Sequence, residues 1–209
     1  MSDRTGSDPR ISRKGWFRAD YDRNLWIPCP RDFPAGMDTA SWADKCARVW
    51  WDAEGPGDHE AQIAALARQL SDVHQTAYGP GMLPTHLGFI HLPRAEMIPL
   101  LVSFTVWEAL GDRDQQLRLM THAASGIEPP VFTPFRTDQL GEGIKVLYYQ
   151  RTPERSTVIG CLAYAWRSEQ YDTDLRILTI CPNLGRLEAA LPDLDDLARA
   201  TRMVPGARG

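Results

Sequence analysis

Five histidines and four cysteines are the side chains in this 209-residue chain best suited to metal or nucleophilic chemistry, and their spacing spells no familiar site. His86 and His91 lie five apart in an apolar run that reads as a strand. Side chains alternate along a strand, so an odd offset sends the two rings to opposite faces. One metal ion could not use both without a bend between them. His59 and His74 fall on a helical stretch and His122 on a shorter one, and no His-Glu-x-x-His pattern occurs. Cys29, Cys46, Cys161 and Cys181 include no pair at two-residue spacing, which excludes a zinc ribbon or a thioredoxin-type dithiol. Cys161 and Cys181 sit in strand-like apolar runs, where a free thiol behaves as a small hydrophobe. A Cys–His pair assembled by the fold stays open, because such partners need not be near in sequence. Leu140-Gly141-Glu142-Gly143 carries two glycines but no helix start follows it, so it reads as a hairpin turn and not as a phosphate cradle. Asp172 and Asp174 read as a loop pair. Asp193, Asp195 and Asp196 read as the start of a last helix, where the helix dipole favours negative charge. No cofactor and no metal are expected from these residues.

The unusual feature is aromatic. Trp16, Trp26, Trp42, Trp50 and Trp51 fall within residues 16–51, five of the seven Trp in the chain. Trp buries a large area and wants a partner for its N–H. Trp50 and Trp51 are adjacent, so on a helix they point about 100° apart and cannot share one narrow seam. Three readings follow: packing of this region on its own domain, a protein-binding surface, or a ligand pocket between this region and a sheet. Trp and Arg are enriched at binding hot spots, and Trp26, Trp50 and Trp51 are the candidate binding residues.

The elements that must position these side chains follow from periodicity. Residues 1–15 read as a flexible leader, and the first eighteen residues are locally basic through Arg4, Arg10, Arg13, Lys14 and Arg18. Residues 16–84 read as an aromatic-rich helical arm. Pro28, Pro30 and Pro34 confine its first part to short extended pieces. A helix starting near Asp38 to Ser41 carries Trp42, Cys46, Val49, Trp50 and Ala53. Gly55-Pro56-Gly57 ends it, and a second helix from about His59 to Ala77 carries Ile63, Leu66, Leu70 and Val73. Together they predict an αα-hairpin. From residue 85 the period shortens. Strands are expected over 86–92, 97–110, 131–137, 144–151, 157–167 and 174–181. A short helix from Asp112, with Gln115 completing a capping box and Gly126 closing it, interrupts them. Ile144, Val146 and Tyr148 alternate with Lys145, Leu147 and Tyr149, which predicts a strand covered on both faces. Asn183 opens a helical turn to Leu191, Pro192 breaks it, and a last helix follows from Asp193. Short connections between neighbouring strands argue for an α+β fold with a mainly antiparallel sheet flanked by helices, residues 85–204 forming a sandwich domain.

The composition sets the partners. Apolar residues at 43% and charged residues at 24% are ordinary for a globular chain. A net charge of −4 lacks the broad positive field of a nucleic-acid binder. No apolar run is long enough for a membrane span, and the first residues contain no signal-peptide core. Basic residues are nearly all Arg, with Lys only at Lys14, Lys45 and Lys145, which points to a GC-rich genome such as that of an actinobacterium.

The segment Leu100-Leu101-Val102-Ser103-Phe104-Thr105-Val106, the helix Gln116 to Ala124 and the hairpin from Phe135 through Gly141-Glu142-Gly143 to Val146 carry a resemblance. With the long C-terminal hairpin and the helix after Asp193, their order over residues 85–204 resembles the Mog1/PsbP-like α/β/α sandwich. That resemblance implies an accessory or assembly protein acting by partner binding, and it transfers no individual residue. The expectation is a cytoplasmic, non-enzymatic adaptor that binds another protein through the aromatic arm or the open sheet face. The alternative is a small-molecule or lipid binder, or a cofactor-free enzyme. Its site would lie between the arm and the sheet, near His86, His91, Tyr148 or Tyr164.

Overall fold

Asp38 accepts the Ser41 N–H at 2.8 Å and so satisfies one orphan donor at the start of helix α1 (Thr39–Glu54). The computed structural model describes residues 15–79, 85–152 and 157–205. The leader expected over residues 1–15 lies, except for Gly15, outside the described residues. Helix α2 (Glu60–Tyr78) folds back on α1. Trp42, Ala43 and Ala47 of α1 and Ile63, Leu66 and Leu70 of α2 form one apolar cluster with Ile27, Cys29, Ile90 and Leu92. The helical hairpin is therefore held by burial against the sheet.

That sheet has seven strands in the order β2-β3-β4-β8-β7-β6-β5, every pairing antiparallel. The strands are β2 (Trp26–Cys29), β3 (Leu87–His91), β4 (Leu100–Glu108), β5 (Thr133–Thr137), β6 (Gly141–Arg151), β7 (Val158–Ser168) and β8 (Thr173–Cys181). Residues 16–84 thus supply an edge strand of the sheet as well as the helical hairpin. The opposite edge, β5, is short and carries Pro134, which removes a donor and blunts the edge against foreign pairing.

Three layers result. One face of the sheet carries α1 and α2 at the β2–β3 end and α3 (Arg113–Met120) over β6 and β7. Asp112 caps α3 by accepting the Gln115 N–H at 2.8 Å, as the capping box predicts. The helix is shorter than expected, and Gly126 closes a separate 3₁₀ turn, Ala123–Ser125. The other face carries α4 (Leu184–Arg199), whose Leu187, Ala190, Leu194 and Leu197 meet Val102, Phe104, Leu162, Tyr164, Trp166 and Ile177 in the main core. Phe17 lies parallel to Phe104 at 4.9 Å within it. No helix among the described residues is long and apolar enough to cross a membrane.

Three expectations are corrected. Pro192 does not break the C-terminal helix: α4 runs through it from Leu184 to Arg199, with Asn183 capping it at 2.9 Å. An interior proline costs roughly 3 kcal/mol, but buried residues on both sides of Pro192 must stay on one face, and Pro192 itself is exposed, leaving the Glu188 carbonyl to water. Asp193, Asp195 and Asp196 consequently lie in the second half of a helix and not at its N-terminus. Asp174, read both as half of a loop pair and as the start of the strand over 174–181, belongs to β8, is fully buried, and pairs with Arg167. Periodicity also missed β9 (Thr201–Pro205), which pairs antiparallel with β1 (Gly15–Ala19) in a separate two-stranded sheet. Its partner lies at the other end of the chain, so no local signal announces the pairing.

Candidate functional site: an apolar groove beside helix α4

The expectation that β6 is covered on both faces fails at Leu147 and Tyr149. Val146 and Tyr148 face α3 and are buried, whereas Leu147 and Tyr149 are 37% and 43% exposed. The cause is the path of α4. Gly160 on β7 has no side chain, and a Cβ there would come within 2.6 Å of Leu187 Cδ2. The first turn of α4 therefore sits directly on β7 and β8. At the other end of the helix, Asp195 reaches β6 by accepting from Lys145 Nζ at 2.7 Å. Between these two anchors the β6 face is left open.

The chain before β5 builds the opposite wall. The Ile127 N–H donates to the Tyr149 carbonyl at 2.7 Å. Pro129 and Pro130 have no N–H to extend that pairing along β6, so the segment stands off as a ridge, and Val131 on it is 74% exposed. The groove so formed has a volume of about 380 Å³ and is walled by Ile127, Val131, Leu147, Tyr149, Val158 and Leu184. Single exposed apolar residues are ordinary, but several that converge on one concave surface mark a contact site. Glu128 is the acidic group at its edge.

The expected binding residues lie elsewhere. Trp26 is almost fully buried on β2, with its ring 4.7 Å from that of His91. Trp50 donates its indole N–H to the Leu92 carbonyl at 2.6 Å and so pins α1 to the end of β3. Trp51 stacks on His59 at 4.9 Å beside the link to α2, and its N–H has no partner among the described residues. Trp50 and Trp51 thus take different surfaces, as their adjacency requires. Trp50 and Trp51 anchor the helical hairpin, whereas Trp26 packs into the main core on the α4 face; all three stand at the β2–β3 end of the sheet, away from the groove.

His86, His91, Tyr148 and Tyr164 do not converge either. The Tyr148 hydroxyl donates to the Thr121 carbonyl at 2.8 Å on the α3 side. Tyr164 faces α4 and donates to Asp195 at 2.5 Å, with Lys145 on the same oxygen. His86 lies one residue before β3, where its Nδ1 accepts the Val106 N–H at 3.0 Å. His91 is fixed from both sides: Arg186 donates to Nδ1 at 2.9 Å, so Nε2 carries the proton and donates to Asp193 at 2.8 Å. Burial, then the nearby Arg186 charge, lowers its pKa to about 4 against the pull of Asp193. Burial raises the thiol of Cys29 to about 12 and that of Cys161 to about 11, so neither is a ready nucleophile at neutral pH. Among the described residues no group of three or more His, Cys, Asp or Glu side chains could hold a metal ion.

The His91 geometry sets an acid response. The unfolded chain binds a proton at this residue near pH 6.5, and the folded chain refuses it until about pH 4. Stability is therefore lost as pH falls through that window and levels off below it. In urea titrations across the window, His91→Gln should lose about 3 kcal/mol less than the parent chain. Parallel curves for the two would show that His91 does not carry the response.

No protein-family model matches the chain, and no curated protein matches it. Among solved structures, the chain is similar to the Ran-binding protein Mog1p of Saccharomyces cerevisiae, known from a crystal structure at 1.9 Å. The TM-score is 0.39 and the identity 13%, over 59% of this chain and 82% of that one.

Proposed function

We propose that this chain is a non-enzymatic accessory protein of the cytoplasm that binds another protein through the groove beside α4. The observation that supports this is the concave, apolar surface of Leu147, Tyr149, Val158, Leu184, Ile127 and Val131, which the chain leaves open although the central strands on this face are packed under α4. A water-exposed surface of this kind gains free energy only when something covers it. The half-buried Trp50 and Trp51 offer a second contact in the same reading. Trp26 has too little exposed ring to contribute without opening the fold.

Leu147→Glu with Leu184→Glu tests this. Both side chains are exposed, so the double variant should keep its thermal midpoint. Immobilised full-length protein should retain a stoichiometric protein partner from host lysate. The variant should retain it at least about tenfold less well, because two carboxylates would be desolvated in the interface. Trp51→Ala, at the second contact, should weaken retention less than the glutamate variant does. Equal retention by the parent and the glutamate variant would exclude the groove as the binding surface.

A further inference from the structure

We propose that the groove beside α4 is filled by an amphipathic helix of the partner protein, about three turns long, which sets a Lys or Arg against Glu128. The proposal rests on the groove being a protein-binding surface and names the kind of segment that fills it.

The floor of the groove decides between a helix and an extended peptide. An extended peptide binds where a sheet edge offers unpaired N–H and C=O groups. β6 is flanked on both sides. It pairs with β7 from Gly143 to Arg151. On its other side β5 pairs with it from Gly141 to Lys145, and beyond that lies the ridge, with Ile127 bonded to the Tyr149 carbonyl. The floor therefore presents side chains, and a segment lying on it must satisfy its own backbone groups. A helix does so internally.

Length and charge specify that helix further. Leu184 walls the groove at the start of α4, and Asp195, about three turns further along the helix, holds Lys145. The open face between them is thus about 16 Å long. Leu147 and Tyr149 stand two apart on β6 and so point the same way, up from the floor. Apolar residues recurring once per helical turn match such a row. Glu128 on the ridge is exposed and is the one charged side chain lining the groove among the described residues. It makes no ion pair among them. A lone carboxylate at the rim of an apolar groove favours a cation beside the apolar anchors and repels an acidic segment. The net charge of −4 acts in the same direction at longer range.

Two heptads of Leu-Lys-Lys-Leu-Leu-Lys-Leu form a basic amphipathic probe. The same peptide with Glu in place of Lys, and the basic peptide with a central proline, are its controls. Titrated into the full chain at neutral pH and about 0.15 M salt, the basic peptide should give saturable shifts of the Leu147, Val158 and Leu184 methyl NMR signals. The acidic peptide should bind at least about fivefold more weakly, and the proline peptide at least about tenfold, because it cannot hold the helix. Glu128→Gln should cut the preference for the basic over the acidic peptide to below about twofold, whereas Glu142→Gln, at the other end of β6, should leave it unchanged. Both side chains are exposed, so both variants fold. No saturable shift of these signals, equal binding of the basic and acidic peptides, or equal binding of the proline peptide overturns the proposal. If the double glutamate variant loses its lysate partner while no peptide shifts these signals, the helix is overturned and the groove still stands as a protein-binding surface.

Discussion

Asp174→Ala should lower the stability of the chain by about 3 kcal/mol, read as a fall in the urea midpoint at unchanged slope. The carboxylate of Asp174 is fully buried on β8 and takes two hydrogen bonds from Arg167 of β7, Nε to Oδ1 at 2.7 Å and Nη2 to Oδ2 at 2.9 Å. Such a fork-to-fork pair is strong because both bonds are charge-assisted and coplanar. Arg167 also donates to the carbonyls of Gly111 and Leu110, at 2.9 and 3.0 Å. It thereby ties the β7–β8 hairpin to the loop that leads into α3. Removing the carboxylate leaves a guanidinium that keeps two neutral acceptors and lies close to water, so the expected loss sits at the low end of the range for broken buried pairs. Arg167→Met combined with Asp174→Leu should recover much of it, because an apolar pair carries no desolvation cost. A single variant with an unchanged midpoint would show that the pair contributes nothing net.

Gly143→Ala is expected to cost about 3 kcal/mol, against about 1 kcal/mol for Gly141→Ala. The two glycines stand two residues apart in one motif and are required for different reasons. Gly141 has φ +72°, with open space where a Cβ would stand, so its substitution brings backbone strain alone. Gly143 lies inside β6 opposite Trp166. A Cβ there would collide with the Trp166 indole and lie 2.6 Å from the Ala165 carbonyl. Trp166 cannot move aside easily, since it is fully buried, parallel to Tyr164 at 5.9 Å and edge-on to Phe135. Thermal or urea denaturation of both variants decides the matter. Equal losses would mean that the Trp166 contact relaxes freely.

These two residues show how far local pattern reaches. A turn next to Gly141 is legible because turns need glycine where φ is positive, but it lies at residues 138–140, and Gly141, Glu142 and Gly143 already belong to β6. The role of Gly143 is not legible, because the indole that excludes a side chain comes from a strand paired across the sheet. Asp174 shows the same limit: an aspartate at the edge of a polar loop carries no local sign of burial, and only the register that places it directly opposite Arg167 makes it a buried ion partner.

The α+β class, the αα-hairpin, the antiparallel strands and the caps at Asp38, Asp112 and Asn183 were determined by the sequence itself, because each rests on hydrophobic period or on hydrogen bonds within a few residues. The tertiary structure alone decided that α4 continues through Pro192, since burial on both sides of the proline outweighs one lost bond. It decided that β9 pairs with β1, and that Trp42, Trp50 and Trp51 pack the hairpin onto the sheet while Trp16 and Trp26 join the main core on the other face. It also opened the groove. Leu147 and Tyr149 have the composition of covered positions, and whether a helix lies over them depends on the angle at which α4 crosses β7. That angle is set by the absent side chain at Gly160 and by the Lys145–Asp195 bond, contacts between residues 27 and 50 positions apart.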